Sequence, residues 1–412
     1  MSDSGRSRGA RLVEPFRDVR SRRLLGAFLC SELADGITFI VVPLAVYAVS
    51  NDLIALAGTF LGRLLLASAV AVAGGAVADR WERRRTLLVT YGVRAVLVVS
   101  LMLVPSDEVT VFALVGVLLG ASGAFDNPSA EASLRAVYRH DLQSLAAARK
   151  TGKTLSSLVG PALGGLFVGI GGMNFALGVN IVMFVLAWLI LVGDVRHQVH
   201  RERQTADSLV RRMDWGVLRR APRDLKLAFF STLVASFLVG LSTVVAVPYL
   251  DHLERAPSGS YGYAIAAYSA GALCGLWLAG ITTWERVSLR VMLSIANGVY
   301  GLLVVLSVAA PSWELLAVAW FLWGLAFGPE DVVADARVAA LVPDDRLGRL
   351  YAWWSIIARL GSALAFGSAM LLGSLDERAA LLLTGLAYAV VVPLLVLLLG
   401  GRRKREVKAQ NR

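Results

Sequence analysis

The chain has 412 residues, 57% of them hydrophobic and only 17% charged, with a mean hydropathy of +0.65 and a formal net charge of +11. A soluble globular domain carries about 25% charged residues, so an array of soluble domains is excluded. So is a nucleic-acid partner, because the excess of basic residues has a different explanation once their positions are read.

In chain order, residues 1–23 form a polar tail with seven Arg. The apolar run that follows lacks a small-residue cleavage site, so the tail reads as the flank of a retained helix rather than as a signal peptide. Runs long enough to cross a hydrocarbon core of about 30 Å then recur at 24–49, 53–78, 86–104, 109–128, 151–171, 174–193, 226–250, 262–283, 288–310, 313–333, 350–373 and 379–400. This predicts an all-α membrane protein with twelve transmembrane helices in two six-helix bundles. The longest polar segment, Asp194 to Lys226, divides the chain into an N-terminal bundle (1–193), a cytoplasmic linker (194–225) and a C-terminal bundle (226–412). An amphipathic helix lying on the membrane surface is expected near 208–219.

Alternation over twelve spans puts 36 of the 41 Lys and Arg on one side, counting those at the span edges. The other side has Arg255 and Arg378, and Arg63, Arg94 and Arg359 lie inside spans. By the positive-inside rule both termini face the cytoplasm, which places the chain in the inner (plasma) membrane. Cys30 and Cys274 both fall in spans and predict no disulfide.

The halves echo each other. Trp81-Glu82-Arg83 after span 2 recurs as Trp284-Glu285-Arg286 after span 8, and Val137 and Leu142 match Val342 and Leu347 at an offset of 205. Two matches at nearly one offset, in corresponding loops, predict a duplicated six-helix unit, an arrangement in which the substrate path runs between the repeats.

The loop after span 2 packs six charges into the seven residues Asp79 to Arg85. Gly75 permits close helix approach. Asp79 is placed to face a helix N-terminus, and Arg83 to bridge to a second acid, with Asp126, at the expected end of helix 4, as the best candidate. Arg84 and Arg85 read as orientation signals. The pattern Gly75-x-x-x-Asp79-Arg80-x-x-Arg83-Arg84-Arg85 resembles the loop signature of the major facilitator superfamily. Within it, "FDNPSAEASLRAVYRHDL" and "GPALGGLFVG" are most similar to the bacterial branch of macrolide and enterobactin exporters. The resemblance implies that Gly75, Asp79, Arg80, Arg83 and Asp126 form a conformational latch, closed in the outward-facing state. It also implies that "GPALGG", with Gly160, Pro161, Gly164 and Gly165, is the antiporter motif of exporters. Physically, Pro161 bends its helix. Gly160 and Gly164 form one small-residue face and Gly271 and Gly275 another, so helix 5 is expected to pack on helix 8.

Ionisable groups deep in a span are expensive and functional. Glu32 and Asp35 are three residues apart on span 1, about 12 and 17 Å from Leu24 by the helical rise. The family's "S-x-x-x-D-G" pattern matches Ser31 to Gly36. One of this pair is expected to couple protons, with Arg63 of span 2 as the partner of Asp35. Two other readings stay open: a static Arg63–Asp35 pair, and direct binding of a cationic substrate. Arg94 and Arg359 are assigned to snorkelling or to the latch. Glu330 and Asp331 are read as the end of helix 10, serving a gate or the latch rather than carrying protons, and the C-terminal spans are read as lacking a mid-membrane acid. Phe39, Tyr47, Trp320 and Trp323 are candidate cavity-lining residues.

No nucleotide loop, metal-ligand cluster or catalytic triad spacing is present, so neither an enzyme nor a cofactor is expected. The expected function is proton-coupled export of an amphiphilic drug or natural product by alternating access. The partners are the solute, protons and the lipid bilayer, and the chain is expected to act as a monomer. The rival readings are a siderophore, lysophospholipid or nutrient transporter of the same fold, and a transport-inactive sensor or scaffold.

Overall fold

The computed structural model describes residues 14–80, 82–103, 108–138, 141–193, 222–251, 253, 259–281, 288–310, 312–342, 347–371 and 376–401. After a short 3-10 turn, Glu14–Phe16, these residues form α1 (Val19–Ser50), α2 (Leu53–Arg80), α3 (Arg83–Leu103), α4 (Val109–Val137) and one continuous helical run, Leu142–Val192. That run is two helices, α5 (142–171) and α6 (173–192), joined at Gly172. Then follow α7 (Arg223–Asp251), α8 (Ser260–Ile281), α9 (Leu289–Ala309), α10 (Trp313–Ala339), α11 (Leu347–Leu371) and α12. The last consists of Glu377–Leu386, a π-helical stretch Ala387–Val391, and Val392–Gly401.

The joint at Gly172 is a hairpin. Its φ of 76° and ψ of −179° are accessible in practice only to glycine. Phe167 and Phe175 would be separated by about 12 Å along a straight helix, yet their rings meet edge to face at 5.6 Å. Likewise α1 touches Gly164, before the turn, and Asn180, after it, at adjacent residues: a Cβ on Gly164 would lie 3.1 Å from Ile37 Cα, and Asn180 Nδ2 donates to Thr38 Oγ1 at 2.9 Å. Counted by length and composition, eleven helices of the described residues can cross a membrane, with this pair counted once. Separating the pair makes twelve.

Two helix C-terminal ends differ from expectation by far more than the rest. The polar segments after spans 4 and 10 continue as helix, to Val137 and Ala339. Hydropathy stops at the first polar cluster, but the helix does not, because "AEASLRAV" is made largely of helix formers. Glu131 also pairs with Arg135 one turn on and with Arg149 at 2.8 Å. Asp126 and Glu330 are therefore interior residues of their helices.

The chain forms two compact units: Met1–Ser50 with Gly62–Ala206, and Asn51–Leu61 with Asp207–Arg412. In the first, Leu25, Phe28, Leu87, Tyr91, Leu134 and Tyr138 belong to one buried cluster. In the second, Leu225, Phe229, Tyr300, Trp323, Trp353 and Tyr388 do. The burial pattern shows a membrane helix in α3. Leu87, Tyr91, Arg94, Val98 and Leu101 are buried at helical spacing, while Val89, Val93, Val96 and Leu103 point outward. Tyr91 and Arg94 thus lie inside while three valines face outward, the reverse of a soluble helix.

Candidate functional site

In the first unit α1, α3 and α4 converge on Arg94. It is the twelfth of the 21 residues of α3 and is fully buried. Its Nη1 donates to Asp126 Oδ2 at 2.9 Å, to Asp35 Oδ2 at 3.1 Å and to Ser31 Oγ at 3.1 Å; its Nε donates to Ser122 Oγ at 2.6 Å. The guanidinium plane lies over the Phe184 ring of α6, 5.5 Å from the centroid. Gly123 leaves room for this cation, since a Cβ there would come within 3.2 Å of Nη2. One buried nitrogen therefore carries two carboxylates. The two differ in access: the Asp126 side chain is 6% exposed and that of Asp35 32%.

Glu32, one turn before Asp35, faces Lys153 of α5 at 3.7 Å, and Lys153 donates to Asn127 Oδ1 at 3.3 Å. The sequence pairing of Asp35 with Arg63 is corrected. Arg63 donates to the Thr38 carbonyl at 3.1 Å and sits over the Phe39 ring at 5.6 Å, within electrostatic reach of Asp35 but not bonded to it. The reason is geometric: Arg94 enters from α3 at the level of Asp35 and takes its Oδ2. Sequence reading placed Arg94 nearer the cytoplasmic end, snorkelling or in the latch; the structure places it fully buried at the centre of this cluster.

Asp126 likewise goes to Arg94, not to Arg83, which donates to the Ala132 carbonyl at 3.3 Å. Gly75, Asp79 and Arg80 fall in the helical end of α2, and their side chains lie outside the described residues. So do Trp81, the second Trp-Glu-Arg copy, the four histidines and residues 194–221 of the linker.

Arg84 has a partner that its reading as an orientation signal did not supply. Its Nε and Nη2 donate to the Leu191 carbonyl at 3.3 and 3.2 Å, and Nη2 to Val192 at 3.1 Å. A cation on the last carbonyls of α6 complements the helix dipole. Replacing Arg84 with Gln is therefore expected to destabilise the protein by roughly 0.3–1 kcal/mol, read as a small drop in thermal midpoint in detergent. An unchanged midpoint would reduce Arg84 to an orientation signal.

The glycine faces pack differently from expectation, each within its own unit. A Cβ on Gly36 would lie 2.8 Å from both Gly160 Cα and Pro161 Cδ, so Gly160, Pro161 and Gly164 seat α5 on α1 beside the acids, and Gly165 is buried there too. The helix runs through Pro161, and the break falls at Gly172. Gly271 and Gly275 of α8 meet Phe321 and Leu325 of α10, where Gly324 and Gly328 return the contact. Of the aromatic candidates, Tyr47, Trp320 and Trp323 are buried, while Phe39 is 40% exposed. Trp320 and Trp323 border a small cavity with Ser242, Tyr249 and Ser307.

A family model described as Major Facilitator Superfamily matches residues 24–255 and again 228–412. The chain is similar to the enterobactin exporter EntS of Shigella flexneri, 25% identical over 360 residues that cover 82% of this chain and 81% of that protein. It is 24% identical to EntS of Shigella boydii serotype 4 over 404 residues, 91% of each. Among solved structures, the nucleoside transporter NupG superposes with a TM-score of 0.69 at 14% identity, covering 92% of this chain and 99% of that one. A bacterial homologue of the iron transporter ferroportin gives 0.69 at 14% identity, covering 96% and 100%.

Proposed function

The chain belongs to the Major Facilitator Superfamily, membrane transporters rather than enzymes, and from that premise we propose that it is a proton-coupled exporter of amphiphilic organic solutes. It works by alternating access in the inner membrane, with both termini in the cytoplasm, an orientation that the one-sided distribution of Lys and Arg supports.

The observation that carries the coupling is the shared nitrogen of Arg94. Two carboxylates and one guanidinium leave an excess negative charge that one proton cancels. Asp35 is the exchanging group, because its side chain is 32% exposed. Asp126, at 6%, is the standing counter-ion. Protonating Asp35 weakens its hold on Nη1 and leaves Asp126 as the one carboxylate paired with Arg94, with Ser31 and Ser122 still accepting from the guanidinium. That changes an α1–α3 contact while the α3–α4 contact persists, so a proton is converted into a displacement between helices. Gly36, next to Asp35, rests on Gly160, which passes such a displacement to α5. The latch at Gly75, Asp79 and Arg80 is retained in this proposal from the family resemblance.

The direction of transport is supported by the relatives, which are named exporters. Their name also favours a second substrate reading, a siderophore. The test is accumulation in cells with and without the gene, over dyes, antibiotics and catecholate siderophores, before and after the proton gradient is collapsed. Gradient-dependent loss of a dye or antibiotic from the expressing cells is the expected result. Loss of siderophore alone would select the second reading, and no difference for any solute would remove the export function.

A further inference from the structure

The second unit holds a polar centre that this mechanism does not use. It occupies the same places in the repeat. Glu330 and Asp331 of α10 lie 204 and 205 residues after Asp126, and Asn297 of α9 lies 203 after Arg94. As Arg94 donates to Ser31 on α1, so Asn297 Nδ2 donates to Ser231 Oγ on α7, at 3.3 Å.

The cation is what differs. The turn of α9 that corresponds to Arg94 carries Asn297 and Tyr300, and Tyr300 Oη is 3.3 Å from Glu330 Oε2. The other titratable groups facing Glu330 are Tyr268 from α8, Tyr388 from α12 and its neighbour Asp331. Arg290, the remaining charged group of α9, lies about 15 Å further along that helix and is engaged by Asp224 at 2.9 Å. On α10 itself, Asp335 and Arg337 lie one turn and more beyond. Among the described residues no Lys or Arg forms an ion pair with Glu330.

The rings around the carboxyl pack on one another: Tyr268 and Trp323 at 5.5 Å, Tyr300 and Tyr388 at 5.9 Å, Tyr300 and Trp323 at 6.5 Å. Tyr300, Trp323 and Tyr388 are all buried. A carboxylate in such a shell, offered only neutral hydroxyls, is relieved by a cation or by a proton. Metal ions and ammonium groups need several ligands or an open cage. A proton needs neither, and no ring has to move to admit it.

We propose that Glu330 is a second proton-exchanging carboxyl, placed in the second unit with the Tyr300 hydroxyl as its hydrogen-bond partner. When neutral, its carboxyl shares a hydrogen bond with Tyr300. When its proton passes to water, the carboxylate accepts from the Tyr300 hydroxyl. The site goes beyond the α1 mechanism and stands without it, since Glu330 can exchange a proton whether or not Asp35 couples transport.

The test uses the purified full chain in lipid nanodiscs. Infrared difference spectra are recorded from about pH 5 to about pH 10, a range that covers documented buried carboxyls. The expected result is a neutral-carboxyl C=O band that disappears as pH rises, is absent in Glu330→Gln, is shifted in frequency in Tyr300→Phe, and persists in Asp35→Asn and Glu32→Gln. Spectra of Glu330→Gln identical to wild type at every pH would overturn the proposal. So would a Glu330 band that stays constant over the whole range, because a proton that never leaves makes no exchange site. Should Glu330→Gln fail to fold, an unshifted band in Tyr300→Phe overturns it alone. Bands lost only in the α1 variants would count against Glu330 and leave the Asp35 mechanism standing.

Discussion

Replacing Arg94 with Met is expected to destabilise the protein by about 3–5 kcal/mol, the effect of removing one partner from a buried ion pair. The substitution conserves most of the apolar stem. What it removes is the one charge that faces both Asp35 and Asp126, at 3.1 and 2.9 Å. Two carboxylates then confront each other with only neutral donors hydrogen-bonded to Asp126, Ser31 at 3.4 Å and Asn127 at 3.5 Å. The same logic predicts the rescue. Adding Asp126→Asn to Arg94→Met removes a charge together with its partner, so the double variant should recover most of the loss and show strong non-additivity. Arg63→Met should be milder, about 1.5–3 kcal/mol, because the partner stranded there is the Thr38 carbonyl rather than a carboxylate. Thermal midpoints in detergent for wild type, Arg94→Met, Asp126→Asn, the double variant and Arg63→Met decide it. If Arg94→Met and Arg63→Met are equally harmful, or if the double variant is merely additive, Arg94 is not the centre of the cluster.

The contrast between the two arginines shows where sequence reading succeeds and where it stops. The twelve apolar runs were legible because a helix in lipid must satisfy its own backbone and expose apolar side chains over a fixed length. Even the hairpin between α5 and α6 left a trace, a two-residue gap at 172–173, where Gly172 supplies the turn. The acids of α1 were legible because burying charge is costly enough to be informative. Their partner was not, because choosing between Arg63 and Arg94 requires knowing which helix packs on which. A signal existed in α3 all the same. Leu87, Tyr91, Arg94, Val98 and Leu101 share one stripe, and a stripe holding Tyr and Arg opposite a valine face belongs inside the bundle. Glu330 was read as a group at the end of helix 10 for another reason: the helix continues nine residues past it, through polar sequence that hydropathy reads as a loop. The glycine faces were read correctly as close-packing surfaces and matched to the wrong partners, since a small-residue stripe specifies closeness and not identity.

The sharpest expectation concerns Asp35→Asn. The amide is nearly isosteric with the carboxyl and can still accept from Arg94 through its oxygen, and Asp126 keeps the guanidinium neutralised. Stability should therefore change little. Coupling should not survive, because an amide cannot take up and release the proton. In proteoliposomes, proton movement on substrate addition should fall by at least about tenfold, the equivalent of about 1.4 kcal/mol or more. Substrate binding and passive equilibration should remain. Glu32→Gln is the matched control. Glu32 meets Lys153 at 3.7 Å and makes no ion pair with Arg94 among the described residues, so its loss should shift the response without abolishing it. The reverse order, full coupling in Asp35→Asn and none in Glu32→Gln, would move the proton to the Glu32–Lys153 pair. Unchanged flux in both would leave the Arg94 cluster as a fixed support for α1, α3 and α4. The gradient would then have to enter elsewhere, and Glu330 is the carboxyl to which that result would point.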